Sequence, residues 1–249
     1  MSIIIKSARE IACMREAGRI WAKVMEVLKL KIGPGMKTEE LDRVAAEEVT
    51  RLGAKPSFKG YRGYPASLCV SVNDEIVHGI PGKRVLEEGD IVSLDFGAIY
   101  DGFHADAAVT VGIGEISPEA AKLMATTEGS LKAGIAAACS GARLGDVSAA
   151  IQRYAEAGGY SVVREYTGHG IGREMHEEPQ VPNFGLPGQG PLLKKGMTLA
   201  LEPMLNIGDW RTKVGDNQWT VSTGDGSLSA HFEHTIAITD GEPEVLTTL

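Results

Sequence analysis

Long apolar runs are missing from this chain. Nothing approaches the ~20 consecutive apolar residues of a membrane-spanning helix, and the opening MSIIIKSARE has only three apolar residues before its lysine, too few for a secretory signal. Cysteine is scarce as well. The three present, Cys13, Cys69 and Cys139, are too few and too scattered for a disulfide framework or a CxxC metal knuckle, which fits a reducing compartment. Positive charge is in deficit, with 25 Lys and Arg against 33 Asp and Glu and a net charge of -8. That balance leaves no electrostatic footprint for nucleic acid and no polybasic run to hold an anionic membrane. A cytoplasmic location is expected, with neither nucleic acid nor membrane as partner. What is present is an ordinary folding composition: 43% hydrophobic residues over 249 positions exclude a disordered chain and suffice for a sizeable core.

The chain also contains a faint copy of itself. LEEGDIVSLD, from Leu86 to Asp95, matches LKKGMTLALE, from Leu193 to Glu202, with leucine, glycine, leucine and a terminal carboxylate in register at an offset of 107. Upstream, GMKTEELDRVAAEEVTRLGA from Gly35 runs beside GARLGDVSAAIQRYAEAGGY from Gly141 at an offset of 106, each an amphipathic helix ended by glycine. Two segments at nearly one offset imply a duplication. The expected organisation is a single domain over 1–249 made of pseudo-twofold halves, about 1–115 and 116–249. The first half opens with Ile11, Met14, Ala17 and Trp21 at helical spacing between Ala8 and Leu30. Because helices precede strands in each half, the fold class is α+β, with helices covering a curved, mainly antiparallel sheet built jointly by both halves. Asp95 and Glu202 then fall at equivalent places near its centre.

The stretch SLDFGAIYDGFHADAAVT, Ser93 to Thr110, reads as two antiparallel strands around a tight turn, because Asp101-Gly102 is a strong hairpin signal. With Tyr100 and Asp101 in the loop, Asp95 sits directly opposite Asp106. With Asp101 and Gly102 in the loop, Asp95 pairs with Ala108 and Asp106 is a diagonal neighbour on the same face. Either register clusters two carboxylates between apolar flanks, where like charges repel and desolvation is costly. A bound cation or a shared proton is needed. Hard oxygen ligands with one or two imidazoles suit a divalent metal. His169, in TGHGIG, and Glu233, which opens an apolar strand in HFEHTIAIT, are further candidates. Asp95, Asp106, Glu202 and Glu233 beside His169 would suffice for a paired-metal site. Spacing nominates His104 and His231 as readily, since each shares a strand face with one of these acids.

Four segments, LDFGAIYDGFHADAAVT, TGHGIGREMHEEPQVPNFG, LALEPML and LSAHFEHTIAIT, are similar to the successive site motifs of the type I methionine aminopeptidases, and the likeness extends over nearly the whole chain. The resemblance implies the pita-bread fold and two divalent metal ions, Co, Mn, Fe or Zn, with Asp95, Asp106, His169, Glu202 and Glu233 as ligands and Asp106 and Glu233 bridging. It further implies Glu202 as general base, His176 as donor to the developing oxyanion, and His78 as a contact near the scissile nitrogen. By the same likeness a methionine pocket is lined by Tyr61, Tyr64, Cys69, Met175 and Trp219, with Phe58 at its rim; aromatic and sulfur groups suit a polarizable thioether. His104, His231 and His234 match no ligand position and remain supporting or packing residues. The absence of a long helical insertion between His176 and Glu202 favours type I over type II, and the absence of an N-terminal Cys/His-rich extension favours the short, bacterial form. The expected substrate is the N-terminal peptide of nascent proteins at the ribosome, with a small second residue, met by a monomer. The alternatives are a prolidase-like Xaa-Pro peptidase and an inactive, metal-free binding protein of the same fold.

Overall fold

The computed structural model describes residues 2–249. Helix α1 runs from Ala8 to Lys31 and starts where a capping box starts it: the Ser7 hydroxyl accepts from the Glu10 amide and the Glu10 carboxylate accepts from the Ser7 amide. Its apolar stripe, Met14, Ala17, Trp21, Val24, Met25 and Leu28, is wholly buried. Helix α2, Thr38–Arg51, packs beside it, and α3, Pro118–Ala137, packs on α4, Leu144–Ala157. Helices α2 and α4 stop at Gly53 and Gly159, both with positive φ, as a helix end that needs a left-handed residue favours.

The duplication extends to single hydrogen bonds. Glu40 accepts from the Lys37 amide at the start of α2, and Asp146 accepts from the Arg143 amide at the start of α4. Lys37 makes an isolated antiparallel bridge to Val85, and Arg143 makes its counterpart to Leu192. Each half has its own apolar core under its helices, one around Leu41, Leu68, Leu94 and Phe96, the other around Val147, Ile151, Leu199 and Ile236.

Between the helices lie antiparallel strands. In the first half the long hairpin of Ile91–Tyr100 and Phe103–Gly112 is extended by Leu68–Val72; in the second, Thr198–Leu201 lies between His234–Ala237 and Gly168–Gly170. The two sheets are stitched at the centre. Ala108 and Glu233 exchange backbone hydrogen bonds, at 2.9 and 3.3 Å, and the Thr235 hydroxyl bridges the amide and carbonyl of Asp106. The junction of the two sheets therefore runs through two acids, Asp106 and Glu233.

Of the two hairpin registers, the structure adopts the one turning at Asp101-Gly102: Tyr100 pairs with Phe103, Asp95 with Ala108, and Gly97 with Asp106. The Tyr100-Asp101 loop that would set Asp95 squarely opposite Asp106 does not occur. The reason lies in the turn. A type I′ loop needs positive φ at both central residues, and Asp101 and Gly102 adopt 48° and 78°, whereas a β-flanked tyrosine resists that region. Gly102→Val is accordingly expected to destabilise the fold by about 1–2 kcal/mol, the cost of a left-handed residue with a Cβ, read as a lowered urea midpoint at unchanged slope.

Candidate active site

The hairpin, the stitched strand and the two repeat-related strands converge on a cleft of about 140 Å3. Its wall brings together all four acids, Asp95, Asp106, Glu202 and Glu233, with His169, His78 and His176, and with Phe58, Tyr61, Tyr64, Cys69, Met175 and Trp219. The volume is far below the roughly 300–1,000 Å3 of sites for drug-sized ligands, and suits one side chain. A larger groove of about 1100 Å3 opens between α1 and α3, lined by Trp21, Met124, Phe232 and the chain's C-terminal residues, but none of the four acids reaches it.

Ligand atoms of Asp106, His169 and Glu233 lie within 4.8 Å of one another, and all three residues are buried. Asp95 and Glu202 flank this triad, with Glu202 Oε1 3.6 Å from His169 Nε2. The imidazole is pre-oriented: His169 Nδ1 is 2.8 Å from the Gly170 carbonyl, which can only accept, so Nδ1 carries the proton and the Nε2 lone pair faces the acids. Asn183 donates to the Glu202 carbonyl oxygen at 3.0 Å and fixes the strand end that presents that side chain.

The electrostatics are unbalanced. Asp95, Glu202 and Glu233 are all pushed well above the ordinary carboxyl range, first by desolvation and then by the charge of Asp106, and burial raises Asp106 to about 7. Desolvation lowers His169 to about 4, so its ring is neutral and offers no counter-charge. Asp95 Oδ1, Asp106 Oδ1 and Glu233 Oε1 are buried without a hydrogen-bond partner. Orphaned carboxylate oxygens around an imidazole lone pair are the donor set of a divalent cation, so the residues fit a metal.

Against the acids lies the apolar part of the cleft. Phe58, Tyr64, Ala66, Cys69 and Met175 form a small cluster of their own, with Tyr61 and Trp219 packed on it. Tyr64 meets Trp219 and Phe58 edge to face, at 5.2 and 6.5 Å between centroids. Burial pushes the Cys69 thiol up, and the free cysteine behaves as a small apolar wall residue. His176 stands at the mouth, open to solvent on one side and stacked on Tyr61, whose hydroxyl lies 2.8 Å from Nδ1. Desolvation first, then the neighbouring His169, holds His176 below the usual histidine range. The ring is thus neutral, and its Nδ1 shares a hydrogen bond with the Tyr61 hydroxyl. His78 has a left-handed backbone, φ 60°, and the next residue, Gly79, has no room for a side chain, since a Cβ there would meet the Val70 carbonyl oxygen at 2.2 Å. A strained, tightly backed position of this kind is characteristic of functional loops.

The other histidines go elsewhere. His104 Nδ1 lies 3.0 Å from the Ser57 hydroxyl and His234 Nδ1 lies 2.8 Å from the Thr247 hydroxyl, on the side of Trp21. His231 is fully buried, 3.8 Å from Glu233, with neither ring nitrogen hydrogen-bonded. Arg62, in the cleft wall with φ 50°, had no sequence signal beyond its place between Tyr61 and Gly63.

Buried acids with no lysine or arginine bridged to them among the described residues need either protons or a cation in their midst. A duplicated pita-bread sheet that carries such a centre next to an apolar pocket defines a metal-dependent hydrolase. Residues 12–240 match metallopeptidase family M24, and the chain belongs to that family. It is 55% identical over 247 residues to a methionine aminopeptidase of Clostridium perfringens, covering 99% of each chain, and 53% identical over 245 residues to methionine aminopeptidase 1 of Bacillus subtilis, covering 98% of this chain and 99% of that protein. The crystal structure of methionine aminopeptidase from Thermotoga maritima superposes with a TM-score of 0.98 at 48% identity, over 100% of both chains. Prolidase from Pyrococcus furiosus, at a TM-score of 0.80 and 22% identity over 66% of its length, shares the fold alone.

Proposed function

We propose that the chain is a methionine aminopeptidase, removing the N-terminal methionine of proteins whose second residue is small. The observation that carries this reading is the adjacency of a sulfur-and-aromatic pocket, Cys69, Met175, Tyr64 and Trp219, to the orphaned carboxylates in a cleft sized for one side chain. The full-length likeness to methionine aminopeptidases supports it. We further propose that residues 1–249 act as one catalytic unit, its halves meeting near residue 115, and that two divalent ions, Mn, Fe, Co or Zn, would be held by Asp95, Asp106, His169, Glu202 and Glu233, of which Asp106 and Glu233 would serve both. Such ions, when bound, activate a water and polarise the peptide carbonyl.

The chain's own groups do the rest. Glu202, clamped through its carbonyl by Asn183, takes the water's proton. His176 donates to the oxygen that gains charge, its ring held in place by the Tyr61 hydroxyl at Nδ1. His78 contacts the peptide at the scissile nitrogen. Phe58, Tyr61, Tyr64, Cys69, Met175 and Trp219 exclude water and hold the unbranched side chain. The resemblance supports nascent chains at the ribosome as the substrate source, in the cytoplasm, with a monomeric enzyme.

The test is hydrolysis of a Met-Xaa-Ser series by chelator-stripped protein reconstituted with each metal in turn. Methionine release from Met-Ala-Ser, absent without metal and falling as Xaa enlarges, is the expected result. Cleavage confined to Xaa-Pro peptides would transfer the chain to the prolidase-like activity, and no hydrolysis with no metal uptake would leave only a binding protein.

A further inference from the structure

The loop Gly172–His176 carries two residues of the cleft, Met175 in the pocket and His176 at the mouth, yet Arg173 and Glu174 between them are exposed. Its anchor lies outside the cleft. Lys6, in the segment before α1, forms an ion pair with Glu177, the residue after His176, and the two side chains are only 3% and 5% exposed. The Lys6 amide donates to the Gly196 carbonyl oxygen at 2.8 Å, which fixes where the lysine enters. The second oxygen of Glu177 accepts from the Glu174 amide at 3.3 Å and so closes the turn of the loop. Gly172 packs directly on the pair: a Cβ there would lie 2.5 Å from both Glu177 Oε1 and Lys6 Cε. The loop's outer tether is weaker, because Arg173 lies 4.3 Å over the Phe103 ring and 3.6 Å from Glu10 with its side chain 65% exposed, and exposed pairs contribute little.

We propose that Lys6 and Glu177 form a latch that positions the Gly172–His176 loop, so that a residue from the start of the chain sets the placement of His176 and Met175 in the cleft. Neither residue lines the cleft, and both are positioning residues rather than catalytic ones. The inference rests on the reading that His176 and Met175 meet the substrate. Its physical basis is that a buried ion pair fixes two segments in one geometry, whereas either charge left alone is strongly unfavourable.

The test compares the parent with Lys6→Met and with the paired Lys6→Met/Glu177→Met variant, all reconstituted with Mn(II). Three quantities are read: kcat and KM on Met-Ala-Ser, Mn(II) affinity by calorimetry, and amide hydrogen exchange at residues 172–177. Both variants are expected to lose about 10–100-fold in kcat, the scale of a displacement of about 1 Å at a reacting group, with Mn(II) affinity unchanged and exchange in the loop accelerated. The paired variant, which leaves no lone buried charge, regains thermal stability but not kcat. Recovery of kcat along with stability in the paired variant, or parental exchange rates in the loop, would overturn the latch. If the parent itself releases no methionine, the proposed function falls, and the exchange rates alone decide the latch.

Discussion

Asp106→Asn is expected to abolish peptide hydrolysis while making the metal-free protein more stable. The side chain lies at the stitch between the two sheets, within 4.8 Å of the ligand atoms of His169 and Glu233, and its Oδ1 has no partner in the protein. Asparagine has nearly the same shape and keeps one oxygen, so the Thr235 hydroxyl can still hold the backbone of residue 106. What disappears is one acid from a cluster of four, an acid that is charged once pH passes the value of about 7 to which burial raises it. In the metal-free protein this relieves repulsion on Asp95, Glu202 and Glu233, each of which Asp106 pushes upward, and the melting temperature rises. In the reconstituted protein, under the proposed ligand assignment, a shared ligand would be missing. The loss in kcat then exceeds the about 10–100-fold typical of removing a residue that merely supports a ligand, and divalent-ion stoichiometry falls in calorimetric titration. His104→Ala is the control. Its ring bonds to Ser57 on the same strand face, and the variant is expected to retain full metal uptake. Wild-type turnover in Asp106→Asn would remove it from the metal centre.

The contrast between those two residues shows how much of the site could be read from sequence. Periodicity located α1 to within a residue and placed α2 and α4 inside slightly longer segments, and the repeat located the equivalence of Asp95 and Glu202, because both signals are local. The choice between His169 and His104 was not legible from spacing, because a ligand is defined by which strand lies across the cleft. Gly168–Gly170 pairs with Thr198–Leu201, and that pairing carries His169 to Glu202. The hairpin register was ambiguous by one residue until the backbone angles of Asp101 and Gly102 selected the loop. Asn183 under Glu202, and Lys6 against Glu177 across 171 positions, carry no local signature at all: each is a polar residue whose importance arises from burial that only the packed chain creates. Arg62 is similar, a non-glycine residue held at φ 50° by its neighbours.

Stripped of divalent ions, the protein is expected to lose stability as pH rises from about 6.5 to 8, and divalent ions are expected to reverse the trend. The carboxyls of Asp95, Glu202 and Glu233 sit well above their ordinary range and that of Asp106 near 7, chiefly through desolvation. Their unfolded values lie near about 4, so the folded state holds the extra protons. That contribution is complete below the unfolded values and is lost as pH rises through the folded ones. The histidines act in the opposite sense. Burial lowers His78 and His169 to about 4 and His231 to about 3; their contribution is complete above the unfolded value of about 6.5 and is lost only as pH falls. The two effects oppose each other between about 4 and 6.5, and above that window the carboxyls act alone. Cys69 and Tyr64, also raised by burial, enter only beyond their ordinary values of about 8.5 and 10. Each excess proton in the folded state gives a slope of about 1.4 kcal/mol per pH unit, large against the stability of a domain. Mn(II) binds the ionised carboxylates and not the unfolded chain, so with the ion present stability should rise over the same window. Scanning calorimetry at closely spaced pH values, with chelator and with Mn(II), reads both slopes. A metal-free melting temperature that stays flat from about 6.5 to 8 would mean that the four acids are not held protonated together, and Asp106→Asn should flatten the parent's slope by about one proton's worth.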